Sequence, residues 1–176
     1  NIPELQAASY GYRLHALPTR AEDDFKLTAP VLSRTLEEHP DITVIYLTVT
    51  NNPTTFAYSP AELSAVQEVL RRFAEAGRHI HLVADLAYVG TGPPEEDRAR
   101  MRSLTSATDV ANRTIYVSSW SKTHTLTGER FGWVVFGDAE FAADMGASWT
   151  NSMGSLPGEW QLRFMAYHTL FRENPG

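Results

Sequence analysis

The sequence predicts an α/β domain: a mostly parallel sheet covered by helices in three layers (α/β/α), with one antiparallel strand near its end. Three observations lead there. Short runs rich in β-branched residues alternate with stretches of helical periodicity. One strand–helix–strand passage has the length of a right-handed parallel βαβ unit. And only residues 119–130 separate the last two strands, too few for a helical crossover, so the last strand returns antiparallel.

Each element has its own local reason. Residues 28–38 read as a helix. Residues 42–49, I-T-V-I-Y-L-T-V, are nearly all apolar, as in a strand covered on both faces. A polar loop follows at 50–55. Ser59, Pro60 and Glu62 then open a helix: a capping serine, a proline at the first helical position, and a glutamate placed to close a capping box. Leu63, Val66, Leu70 and Phe73 repeat on one face, and Gly77 ends the segment. Residues 79–84 form the next strand, ending at Asp85. Residues 90–96, G-T-G-P-P-E-E, read as a loop and 98–104 as a short helix. Strands follow at 113–118 and 131–136, then helices at 138–149 and 157–171, with a stop signal at Glu173-Asn174-Pro175-Gly176. No repeat or linker divides the chain. Neither end has a natural start or stop, so a segment of a longer protein is expected.

The totals exclude several classes. Hydrophobic residues make up 43% and charged residues 20%, which supports a packed core rather than disorder. The net charge of −6, with scattered basic residues, argues against nucleic acid as partner. No apolar run approaches the roughly 20 residues of a membrane helix. Cysteine is absent, which removes disulfides, thiolate metal sites and a cysteine nucleophile, and fits a cytoplasmic location.

In a parallel, helix-covered sheet, ligands bind beyond the carboxyl ends of the strands. The polar residues there are Asn51 and Asn52, Asp85 and Tyr88, then Ser119, Ser121 and Lys122. A lysine in a partly desolvated site is a nucleophilic amine able to hold an aldehyde. Hydroxyls with the Arg130 guanidinium suit a phosphate. Asp85 can accept from a protonated ring nitrogen, and Tyr88 and Asn52 can hydrogen-bond a phenolic oxygen. Lysine, phosphate clamp and carboxylate together describe a pyridoxal phosphate site.

The same residues carry a family resemblance. Asn52-Pro53-Thr54, Asp85-Leu86-Ala87-Tyr88, Ser119-Trp120-Ser121-Lys122 and Gly128-Glu129-Arg130-Phe131-Gly132 stand in the order seen in class I/II aminotransferases, of the fold-type I pyridoxal phosphate-dependent enzymes. Asp85 lies 37 positions before Lys122, and Arg130 lies 8 after it. The resemblance implies a transferase large domain, present here in part. Its N-terminal segment, with the glycine-rich phosphate turn and the ring-stacking aromatic, would lie before Asn1. The small domain, with the arginine for the substrate carboxylate, would lie after Gly176. It implies further that Lys122 carries pyridoxal 5′-phosphate as a Schiff base and moves a proton, while Asp85 pairs with the ring nitrogen. Asn52 and Tyr88 would bind the 3′ oxygen, with Ser119 and Arg130 on the phosphate. Lys122, Asp85 and Tyr88 would then be the catalytic residues. The partners implied are an amino acid and a keto acid, in a homodimer.

The chain departs from the family pattern at Thr55, where a glycine is usual, and at Leu86, where a glutamate is usual. Other readings stand beside the first. The same cofactor chemistry serves lyases and amino acid oxidases or hydroxylases, and the fold can be a non-catalytic cofactor-binding domain. Ser119-x-x-Lys122 also matches the acylating serine motif of penicillin-recognising enzymes, but its companions Ser-Asp-Asn and Lys-Thr-Gly are absent. No metal site is expected: His79 and His81 share a strand face but lack a third ligand. His124, beside Lys122, is either a site residue or a loop histidine.

Overall fold

The computed structural model describes residues 2–154 and 156–174. Four strands form one sheet: β1 (Val44–Thr48), β2 (His81–Asp85), β3 (Thr114–Ser119) and β4 (Gly132–Phe136). They lie in the order β1-β2-β3-β4. The β1–β2 and β2–β3 pairs are parallel and β3–β4 is antiparallel, as the short 119–130 connection requires. The register aligns Thr48, Asp85 and Val117, so the carboxyl ends of the three parallel strands meet at one edge.

Eight helices accompany the sheet among the described residues: α1 (Ile2–Ser9), α2 (Ala29–Glu38), α3 (Pro60–Glu75), α4 (Pro94–Ser106), α5 (Thr108–Ala111), α6 (Trp120–Thr123), α7 (Ala139–Met153) and α8 (Gly158–Glu173). The capping box of α3 forms as expected. Ser59 Oγ accepts from the Glu62 N–H at 3.3 Å, and Glu62 Oε2 accepts from the Ser59 N–H at 2.6 Å. Helix α4 begins earlier than the expected 98–104: Pro94 occupies the first turn with Glu95, Glu96 and Asp97 behind it, where acidic groups suit the helix dipole. The short helices α5 and α6, and α1, were not expected. The Pro175-Gly176 part of the stop signal lies outside the described residues.

The core is one-sided. Leu32 and Leu36 of α2, Leu63, Val66 and Leu70 of α3, Leu104 of α4 and Val110 of α5 bury against Ile45, Leu47, Leu82, Ala84 and Tyr116. The opposite face carries Val44, Tyr46, His81, Val83 and Asp85, since side chains alternate along a strand. There α7 makes contact through Phe141, whose ring lies 5.3 Å from His81 and 5.2 Å from Phe136. β1 was expected to be covered on both faces, yet Val44 and Tyr46 remain 50% and 59% exposed. That open face is the one onto which Asp85 projects.

Candidate active site

The six expected residues fall into three groups at the carboxyl edge of the sheet. The first is a pair: Asn52 Nδ2 donates to the Tyr88 hydroxyl at 3.1 Å, joining the loop after β1 to the loop after β2. Asn52 is set by a tight turn with a cis Asn52–Pro53 peptide, in which Asn51 Nδ2 donates to Thr54 Oγ1 at 3.0 Å. Thr55, at the usual glycine position, has φ +63°, the left-handed region that a β-branched residue resists. A glycine would adopt this conformation without that cost. A hollow of about 280 Å³ adjoins the pair, lined also by Thr50, Thr91 and Arg100. A larger hollow, of about 540 Å³, runs along α4 and includes none of the six residues.

The second group centres on Asp85, the last residue of β2. Its Oδ1 accepts from the Ala87 N–H at 2.9 Å, and its Oδ2 accepts from the Tyr46 hydroxyl. Register explains the second bond. Tyr46 lies opposite Val83, so Asp85 is its diagonal neighbour on the same face. Local desolvation first, and then the Asp85 carboxylate, push the Tyr46 hydroxyl above the ordinary tyrosine range although more than half of the residue is exposed, so it stays a donor. Two donors fix the carboxylate's orientation and leave lone-pair sites free, since an ionised carboxylate has about four. Sequence reasoning missed Tyr46. Inside an apolar run a tyrosine reads as packing, and only the strand register puts it beside Asp85.

The third group is the segment after β3. Ser119 caps the single-turn α6, its Oγ accepting from the Ser121 N–H at 3.3 Å, so its own O–H remains able to donate elsewhere. Lys122 projects from α6 with Nζ 5.3 Å from the centroid of the Tyr88 ring. This brings it to the Asn52–Tyr88 pair, in a cation–π contact. Within residues 1–176 Lys122 is exposed, with the Tyr88 ring beside its Nζ. Arg130 is also exposed. It has φ +59°, and Nη1 donates to the Thr127 carbonyl at 3.3 Å.

Two devices hold this segment. On one side, Gly90 has φ +96°, and a Cβ there would meet Thr123 Cγ2 at 3.0 Å. Glycine therefore lets the loop after β2 lie against the lysine turn. Buried Asp97 secures that loop, accepting from the Gly90 N–H at 2.7 Å while pairing with Arg100 at 2.6 Å. On the other side, α8 grips the segment through aromatic rings. Trp120 stacks on Phe164 at 4.5 Å and meets Phe171 edge-on at 5.8 Å, while Phe131 meets Phe164 edge-on at 5.6 Å. Beside them Arg163 Nη2 donates to Glu129 Oε1 at 2.6 Å. His124 belongs to this packing: its ring lies 4.4 Å from Phe171, and its Nδ1 is 2.8 Å from Thr123 Oγ1. His81 packs on Phe141 instead of pairing with His79.

The family model "Aminotransferase class I and II" matches residues 5–162. No curated protein matches the sequence. Among solved structures, the aspartate aminotransferase of Rhizobium meliloti is 27% identical, with a TM-score of 0.63 over 76% of this chain and 31% of its own. YbdL of Escherichia coli, described as having a methionine aminotransferase function, is 20% identical, with a TM-score of 0.68 over 93% of this chain and 39% of its own. A pyridoxal phosphate-bound C-S lyase from Staphylococcus hominis is 12% identical, with a TM-score of 0.66 over 85% of this chain and 36% of its own. The chain thus spans less than two fifths of each of these structures. No helix among the described residues is long and apolar enough to cross a membrane. The chain belongs to the class I and II aminotransferases, a pyridoxal phosphate-dependent family.

Proposed function

We propose that the protein is a pyridoxal phosphate-dependent aminotransferase acting on an amino acid, and that residues 1–176 form part of its cofactor-binding large domain. The observation that carries this reading is the meeting of Asn52, Tyr88 and Lys122 beside Asp85 at the carboxyl edge of the sheet. The donor set matches the cofactor part by part. Asp85 has acceptor sites left for a protonated ring nitrogen. Asn52 donates to the Tyr88 oxygen, so the Tyr88 O–H is left to donate to a phenolic oxygen. The Ser119 hydroxyl and Arg130 guanidinium would bind phosphate, and Lys122 would hold the cofactor covalently through Nζ.

When bound, pyridoxal phosphate supplies an electron sink that makes the amino acid's Cα proton acidic. The chain's own groups do the rest. Lys122 Nζ would take the Cα proton and return it, as a general base on a short turn. Asp85, held by Tyr46 and Ala87, would accept from the ring nitrogen and favour its protonated form. Tyr88 and Asn52, already joined to each other and to Lys122, would contact the phenolic oxygen. We further propose that the protein is a homodimer, which light scattering on the full protein tests, and that it is cytoplasmic, which cell fractionation tests.

The activity test is an amino acid screen with a keto acid acceptor. Transamination gives one new keto acid and one new amino acid per turnover. Ammonia release without acceptor, or oxygen uptake, would instead assign a lyase or an oxidase or hydroxylase.

A further inference from the structure

A second cluster of ligating side chains precedes these residues in the sequence. The donor atoms of His15, His39 and Asp41 all lie within 4.8 Å of one another. His15 Nε2 is 3.3 Å from Asp41 Oδ2, and the two imidazole rings sit 4.5 Å apart, centroid to centroid. Bonds of roughly 2.0–2.1 Å to a tetrahedral zinc ion place neighbouring donors about 3.3 Å apart. The His15–Asp41 separation already has that value, and the His39 donor lies within 4.8 Å of both.

The site is built rather than accidental on one side. His39 ends α2, and Arg78 fixes the turn after it: Nη2 donates to the His39 carbonyl at 2.7 Å and the Ile42 carbonyl at 3.1 Å. The His39 and Asp41 backbone is thereby held whether or not an ion is bound. His15 arrives from a segment without regular structure. Two imidazoles and a carboxylate are a donor set for zinc or a similar late divalent ion, with the fourth position open to water. One cation already competes: Arg13 Nη2 lies 2.7 Å from Asp41 Oδ2. Its side chain is 72% exposed, so it can swing into solvent when an ion enters.

We propose that His15, His39 and Asp41 form a zinc site that clips the segment around His15 to the α2–β1 turn. It lies outside the cofactor residues, and its fate is independent of the aminotransferase reading.

The test is calorimetric titration of the untagged full protein with zinc chloride near neutral pH. One ion should bind per chain, and cobalt(II) in its place should give the visible absorption of a tetrahedral site. His15→Ala, His39→Ala and Asp41→Asn should each weaken binding at least tenfold, whereas Arg13→Ala should tighten it by removing the competing cation. A second readout needs no variant: the zinc-induced NMR shifts of wild-type histidine rings should be confined to His15 and His39. Failure to bind zinc, binding indifferent to the three substitutions, or ring shifts centred on other histidines would overturn the proposal.

Discussion

The Asn52 side chain donates to the Tyr88 hydroxyl at 3.1 Å, across 36 positions of sequence, and the Lys122 ammonium sits over the same tyrosine ring at 5.3 Å. Tyr88 is thus where the three loops meet. Tyr88→Phe removes the oxygen that Asn52 contacts and the O–H offered to the cofactor. Lost hydrogen bonds to a charged group are worth roughly 1.5–3 kcal/mol, so cofactor affinity should fall about 10- to 100-fold. Absorbance titration with pyridoxal phosphate measures it, and Asn52→Ala should lower affinity less.

Tyr46 should matter to the cofactor without touching it. Tyr46→Phe removes the hydroxyl bonded to Asp85 Oδ2 and frees that carboxylate to turn. The expected result is a cofactor bound with altered absorption and a lower kcat, at nearly unchanged KM. Asp85→Asn should be the more severe change, because it removes the acceptor itself.

Thr55 is strained at φ +63°. Thr55→Gly relieves a conformation that costs an L-residue roughly 1–2 kcal/mol, less the extra chain entropy a glycine loses on folding. Net stabilisation of up to about 1 kcal/mol should appear in the denaturant midpoint.

The lysine segment should loosen when its anchors go. Trp120→Ala removes the ring that stacks on Phe164 and meets Phe171, at a cost of about 3 kcal/mol or more. Gly90→Ala acts from the other side, where a Cβ would meet Thr123 at 3.0 Å. Both should weaken cofactor binding, and hydrogen exchange should show faster opening of residues 119–130.

An alkaline limb of instability is expected from Tyr58. Burial first, and then the Glu62 charge, push its hydroxyl up to about 12, against a bond from the Leu27 N–H that acts the other way. A raised folded-state value means that stability is full below the ordinary tyrosine range near 10 and is lost as pH climbs from there through about 12. Tyr58→Phe should flatten that limb. It should also cost roughly 1–3 kcal/mol at neutral pH, since the buried Leu27 N–H loses its 2.6 Å partner.

Much of this was legible in the sequence for local reasons. Ser59, Pro60 and Glu62 announce a helix start within four residues, and the short 119–130 connection dictates an antiparallel return. The start of α4 was legible too, since Pro94 followed by three acidic residues is a helix signal, but the two neighbouring glycines read as loop. Tyr46 and the His15–His39–Asp41 cluster were not legible. Each depends on a register or chain crossing that brings distant positions together, and no local pattern encodes that. The exposure of Lys122 within residues 1–176 was not legible either, because burial is set by what covers a turn and not by the apolar strand that precedes it.

The most direct test is the intact mass of the full protein after borohydride reduction, with Lys122→Ala alongside. Reduction makes an imine permanent. A pyridoxyl phosphate adduct is expected on the wild-type protein, mapped to the peptide carrying Lys122 and absent from the variant. No adduct despite added cofactor, or an adduct that survives Lys122→Ala, would contradict the Lys122 assignment.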